Sequence, residues 1–151
     1  MTDITKDHES LDHVYGRIKD VLTQARSRAW QAVNTAMVMS YWEVGRIIIE
    51  EEQRGKARAE YGKQIIKGVS SRLSSEFGKG FDERNLWFMR SLYSAYPIVN
   101  ALRPQLSWTH YRLLLRVEKP EARAFYEAEA VNAAREASHR VGKSAGERVI
   151  E

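Results

Sequence analysis

Arg84 and Arg90 are the residues of this 151-residue chain best spaced to do chemistry. They stand in a helical stretch whose apolar side is Leu86, Met89 and Tyr93, which leaves Glu83, Arg84, Trp87, Arg90 and Ser91 on the flank and outside. An arginine fork can pair bidentately with guanine or clamp a phosphate. Lys63, Lys67 and Arg72 lie on the preceding helical stretch, and Lys79 lies in the turn between, all placed to contact backbone phosphate. Trp87 completes the candidate DNA-contacting set, although an aromatic at helical spacing packs more often than it stacks on a base. The charge is concentrated here. Residues 54–90 hold nine Lys/Arg against four Asp/Glu, whereas residues 1–53 hold six against nine, and the whole chain carries +4. A plainer reading of each cation is a solvated surface charge, with Glu76, Asp82 and Glu83 available as weak partners.

Other chemistry fits the residues poorly. With no cysteine there is no disulfide scaffold, thiolate metal site or cysteine nucleophile. His110 has no partner at metal-ligand spacing and reads as a satisfied polar or core histidine. Gly142-Lys143-Ser144 imitates the end of a phosphate-binding loop, but Ala137 stands where the first glycine belongs. Gly78-Lys79-Gly80 is followed by Glu83, not by the third glycine of a dinucleotide fingerprint. Metal-dependent nucleases of the PD-(D/E)XK type place an Asp/Glu-x-Lys pair beside a further Asp. None of the eight lysines has Asp or Glu two residues earlier. No catalytic residue, metal site or cofactor is therefore expected, and the chain is read as no enzyme by itself.

The elements that must position the basic set read as helices throughout. Apolar residues recur every three or four positions from Leu11 through Val14, Ile18, Leu22, Ala25, Ala29, Val33, Met37, Tyr41 and Val44 to Ile48. This predicts one long helix, or a hairpin breaking near Ser27, with Gly55 as the stop. Between Ala29 and Trp42 no residue is charged, so a second copy of the chain or other helices must cover that girdle. Ile65, Ile66, Val69, Leu73 and Phe77 form the next stripe, closed by Gly78-Lys79-Gly80. Asp82 suits a helix N-cap, Phe81 and Leu86 have hydrophobic-staple spacing, and Pro97 ends the helix. Residues 63–96 thus make a helix-turn-helix candidate, or equally an ordinary αα-hairpin. A third block opens at Ser107, a fair N-cap, with Leu113, Leu114 and Val117 inward. A fourth starts at Pro120 and carries Ala122, Phe125, Tyr126 and Ala130. The expected fold is all-α: a long N-terminal helix or hairpin, the helix-turn-helix-like unit and two further helices, one domain over 1–132. Residues 133–151 are expected to be a frayed or disordered tail.

Several motifs together resemble one family. They are Tyr41-Trp42-Glu43-Val44-Gly45-Arg46, then Gln53-Arg54-Gly55 with Arg58-Ala59-Glu60-Tyr61-Gly62, and Leu73-Ser74-Ser75-Glu76-Phe77-Gly78-Lys79-Gly80-Phe81. Asn85-Leu86, Met89-Arg90 and Tyr93 follow, then Leu106-Ser107-Trp108-Thr109-His110-Tyr111 and Phe125-Tyr126. In these the chain resembles the amino-terminal domain of the YhcG family over about residues 10–132. The resemblance implies a bacterial helical domain regarded as DNA-binding, normally joined to a carboxy-terminal PD-(D/E)XK nuclease domain. Two departures stand out. Ala133-Ala134-Arg135-Glu136-Ala137-Ser138 replaces the usual Trp-Ser-x-Arg-x-Leu segment, and no nuclease part follows in this sequence.

Two functions are compatible with these readings. One is a DNA-binding module without its nuclease domain, with double-stranded DNA as partner. The other is a helical protein–protein interaction or dimerisation module without direct DNA contact, a homodimer forming through residues 10–53. A nuclease domain or subunit is a further expected partner. Acidic residues at the start of the chain and the lack of a long apolar run point to a cytoplasmic protein without membrane contact.

Overall fold

Gly45 decides how the longest helix joins the others. In the computed structural model, which describes residues 2–55 and 58–150 and side chains over 5–55 and 60–137, α1 runs unbroken from Thr2 to Arg54. The alternative of a break near Ser27 is not realised, because Gly16 and Gly45 are isolated and no proline interrupts the run. α2 spans Arg58–Phe77, α3 Glu83–Ala95, a single 3-10 turn Val99–Ala101, α4 Trp108–Leu114 and α5 Pro120–Ile150. Among the described residues there is no strand, as the all-α expectation has it. Lys56 and the side chain of Arg58, counted in the basic block, lie outside the described residues.

The long apolar stripe of α1 does not bury as one line. No side chain between Thr5 and Val33 is buried, and Leu11, Tyr15, Ile18 and Leu22 are all more than half exposed. Burial begins at Val38 and continues through Trp42, Gly45 and Ile48. That line lies on the opposite side of the helix from Val33, Ala36 and Ile47, which stay exposed. The expected stripe is therefore two stripes, and only the second meets the rest of the chain.

On that second stripe α3 crosses closely. A Cβ on Gly45 would stand 2.0 Å from the Met89 carbonyl oxygen, so only glycine allows this approach. One turn earlier, the Trp42 indole N–H donates to the Tyr96 carbonyl at 2.7 Å. That bond satisfies an end group of α3 beside Pro97, where the helix cannot continue. Ile48 joins Ile66, Leu86 and Met89 in one apolar cluster. Val38 and Trp42 join Leu92, Tyr96, Leu106, Tyr111, Leu114 and Val131 in the other. Each fully buried Leu or Ile here contributes on the order of 2 kcal/mol through burial.

The remaining elements follow their caps. Ser107 accepts from the His110 N–H while the His110 ring accepts from the Ser107 N–H at 3.0 Å, a capping box that gives the histidine its structural role. α4 stops at Leu114, so the expected inward line of Leu113, Leu114 and Val117 is cut short and Leu113 is exposed. α5 opens at Pro120 and buries Val131, whereas Phe125 and Tyr126, expected inside, are exposed. Past Asn132, where a tail was expected, the helix continues to Ile150, with Ala133, Ala134 and Ala137 as strong helix formers. Tyr96 and Tyr111 meet edge-on at 5.5 Å near the half-buried Glu127, whose carboxyl burial raises above its usual range. Burial pushes the Tyr111 phenol up to about 12 and raises that of Tyr96 as well, with the Glu127 charge adding to both.

Two outcomes check this packing. Gly45→Ala should lower stability by about 1–3 kcal/mol, as forced overpacking does. Gly16→Ala, on an open helix surface, should raise it by up to ~1 kcal/mol; similar urea midpoints for the two variants would contradict the close crossing. Because both phenols titrate above the unfolded value of about 10, stability should hold below pH ~10 and fall as pH rises toward 12. The fall should become shallower in Tyr96→Phe/Tyr111→Phe, read by denaturation at graded alkaline pH.

Candidate nucleic-acid interface

The turn between α2 and α3 is built to a tight specification. Gly78 and Gly80 take positive φ values of 83° and 105°, conformations that residues with a Cβ rarely adopt. The hydroxyls of Ser70 and Ser74 both donate to the Phe81 carbonyl, at 2.9 and 3.3 Å. Asp82 then caps α3, its side chain accepting from the Asn85 N–H at 3.0 Å, as the spacing predicts. Leu86, Met89 and Leu92 are completely buried, which fixes the rotation of α3. α2 faces inward along Gly62, Ile66 and Ser70 with Leu73 half-buried, not along the expected line, since Val69 and Phe77 are exposed.

With α3 so rotated, its outward side carries Arg84, Trp87, Phe88 and Ser91. These line a shallow hollow of about 470 Å³ together with Glu83. Arg84 is exposed and its guanidinium lies 5.8 Å from the Phe88 ring centre. Arg112 of α4 approaches the same ring at 5.2 Å. Its Nε is buried without a hydrogen-bond partner. An aromatic ring flanked by two guanidiniums is a surface that can hold an anion, with cation–π contact to keep the arginines in place. Trp87 is half-buried against the second apolar cluster, in line with packing.

Arg90 takes a different position. Its Nε and one terminal nitrogen donate to the two carboxylate oxygens of Glu52 at 2.7 and 2.8 Å, with Glu52 only 13% exposed. The pair ties the end of α1 to α3, and the guanidinium also lies 5.3 Å from the Trp87 ring. A residue so held is part of the frame and is not presented with Arg84. Lys63, Lys67, Arg72 and Lys79 are all exposed. Lys63 and Lys67 stand one turn apart on the same flank, but nine residues of helix carry Arg72 about 180° round from Lys63. The seven expected residues thus do not form one patch. Arg84 is the outward residue, Trp87 packs beneath it, Lys63 with Lys67 form a flank, and Lys79 marks the turn. Phe88 and Arg112, which the sequence reading passed over, complete the outward surface. Arg112 sits 28 residues beyond Arg84, and the signal in the sequence is an aromatic, Phe88, four residues after an arginine.

A larger hollow of about 850 Å³ opens elsewhere, between Trp30 and Asn34 of α1, Gln105, and Ala133 to Ala137 of α5. Among the described residues no group of three or more His, Asp or Glu side chains could hold a metal ion. No helix of the described residues is long and apolar enough to cross a membrane.

The family described as the DUF1016 N-terminal domain matches residues 17–141. The chain is similar to the protein named "Putative nuclease YhcG" of Escherichia coli (strain K12), at 40% identity over 80 residues. That stretch is 53% of this chain and 21% of the relative, so the chain spans a small part of that protein's length. No solved structure matches it.

Removing each of the two arginines in turn tests the division of roles. Arg90→Ala should cost about 2 kcal/mol of stability by leaving a mostly buried carboxylate unpaired. Arg84→Ala should stay within about 0.5 kcal/mol of the parent. Equal thermal midpoints for the two variants would contradict the assignment.

Proposed function

Because the chain belongs to the DUF1016 N-terminal domain family, we propose that it is a DNA-binding helical module that brings a nuclease activity, carried by another domain or subunit, to duplex DNA. The observation that carries this reading is the outward side of α3, where Arg84 and Arg112 flank the Phe88 ring beside a glycine turn that exposes Lys79. Arg84 is the residue that reads base edges, and Lys63, Lys67 and Lys79 hold phosphates, with Arg112 joining them at the edge of α3. Arg72 adds a phosphate contact from the other flank. Arg90 acts through Glu52 as a positioning residue, and Trp87 supports the same helix from within. The nuclease name of the relative fits a targeting role for its matching segment. In this reading α2, the turn and α3 work as a helix-turn-helix.

The second reading, a protein–protein interaction module, is favoured by a different observation. The first half of α1 carries exposed apolar residues from Leu11 to Val33 that the described chain leaves uncovered. The two readings use separate surfaces and are compatible.

Anisotropy of a labelled duplex at a series of salt concentrations tests the first reading. Log affinity should fall linearly with log salt, each neutralised phosphate adding about 0.9 to the slope. Arg84→Ala should cost about 1–3 kcal/mol at the preferred sequence, while Lys67→Ala should weaken all sequences alike. Salt-independent binding, or none, would overturn it. The 151-residue chain should leave supercoiled DNA intact with magnesium or manganese, since no lysine follows an acidic residue at the nuclease spacing. Nicking that a chelator abolishes would show otherwise.

A further inference from the structure

The outer side of α1 has a pattern that is nearly symmetric about its own centre, with Tyr15 and Val44 one position out of register. Leu11, Tyr15, Ile18, Leu22, Ala25, Ala29, Val33, Ala36, Ser40, Val44 and Ile47 succeed one another by three or four residues and keep to one straight line of a helix. All except the half-buried Val44 are exposed. Counted outward from Ala29, Ala25 is matched by Val33, Leu22 by Ala36, Ile18 by Ser40, and Leu11 by Ile47. Across the inner pairs a large side chain answers a small one. Two such helices laid antiparallel, with Ala29 on the twofold axis, would therefore set Leu22 over Ala36 and Ile18 over Ser40 of the other copy, with the alanines letting the backbones close.

Charge is compatible with the same direction. In the first half of α1 Arg17, Lys19, Arg26 and Arg28 stand among Asp7, Glu9, Asp12 and Asp20, and in the second Glu43, Glu50 and Glu51 stand with Arg46, which pairs with Glu43 and Glu50. A parallel pair would stack each of the four cations beside its own copy. The antiparallel pair separates all but Arg28, whose long side chain reaches water, and brings Arg17 toward Glu43. The core-facing line of Val38, Trp42, Gly45 and Ile48 is on the opposite side of α1, so the packed helices of each copy remain outside the seam. From Leu11 to Ile47 the strip is about 54 Å long at 1.5 Å per residue. At about 10 Å of contact width the pair buries about 1,000 Å² in total, the size at which specific interfaces begin.

We propose that the chain forms an antiparallel homodimer along the outer face of α1, with Ala29 at the twofold axis. This is independent of whether the basic face meets DNA. The chain has no cysteine, so single cysteines can be placed at will. Ala29→Cys should crosslink efficiently to its own copy with a short bis-maleimide. Leu11→Cys and Ile47→Cys alone should not, but a mixture of the two should. All three positions are exposed, so folding is not at stake, and circular dichroism of each variant verifies it. Sedimentation of the full chain should give twice the chain mass, and Leu22→Glu should raise the dimer dissociation constant at least about tenfold. Crosslinking of every single-cysteine variant to its own copy would mean a parallel pair and overturn the proposal. So would a mass of one chain at tens of micromolar, or a dimer that Leu22→Glu leaves unchanged.

Discussion

The crossing of α1 and α3 at Gly45 is the constraint on which the rest depends. A backbone carbonyl of α3 occupies the place where any other residue's side chain would begin, so the two helix axes come together at one register. With that register set, the neighbouring contacts fall into place. Trp42 reaches the carbonyl that ends α3, Ile48 meets Leu86 and Met89, and Glu52 comes within ion-pair distance of Arg90. Four successive inward positions of one helix thus grip the whole length of another. Because Leu86, Met89 and Leu92 are consumed by this grip, α3 has no freedom in which side it shows to solvent, and that side is the one bearing Arg84 and Phe88.

The same grip explains the uneven use of α1. A helix of 53 residues is far longer than the globular part it serves, and only its second half is enclosed. The first half presents apolar residues on a side that the core never touches. In a chain of this size such a surface is expensive in water, which makes its regular spacing informative. The fold is best understood as one long helix with two working sides, an inner one that assembles the domain and an outer one available to another copy.

Much of this was legible in residue order. Asp82, Ser107 and Pro120 announce helix starts because capping chemistry is local, and Pro97 announces an end for the same reason. The all-α class follows from unbroken three-and-four spacing. What could not be read was rotation. α1 is apolar on nearly every side between Ala29 and Trp42, so periodicity merged two opposed stripes into one. The site suffered from the same limit. Helical spacing makes Arg90 equivalent to Arg84, and it is Glu52, 38 residues earlier, that holds Arg90 apart. The meeting of Phe88 with Arg112 depends on how α4 docks, which no spacing within one helix encodes. Phe77 shares the side of Ile66 but is the last residue of α2 and stays exposed, while Phe125 and Tyr126 lie off the side of α5 that Val131 buries, a rotation their apolar spacing does not fix.

Amide hydrogen exchange along α1 tests this account most directly. If the second half is locked by α3, amides from Asn34 to Glu52 should exchange only by global unfolding, in the same slow class as those of α3. Amides from Thr5 to Trp30 should exchange faster in dilute protein. Uniform protection along α1 in dilute protein, or a second half that exchanges before α3 does, would contradict it.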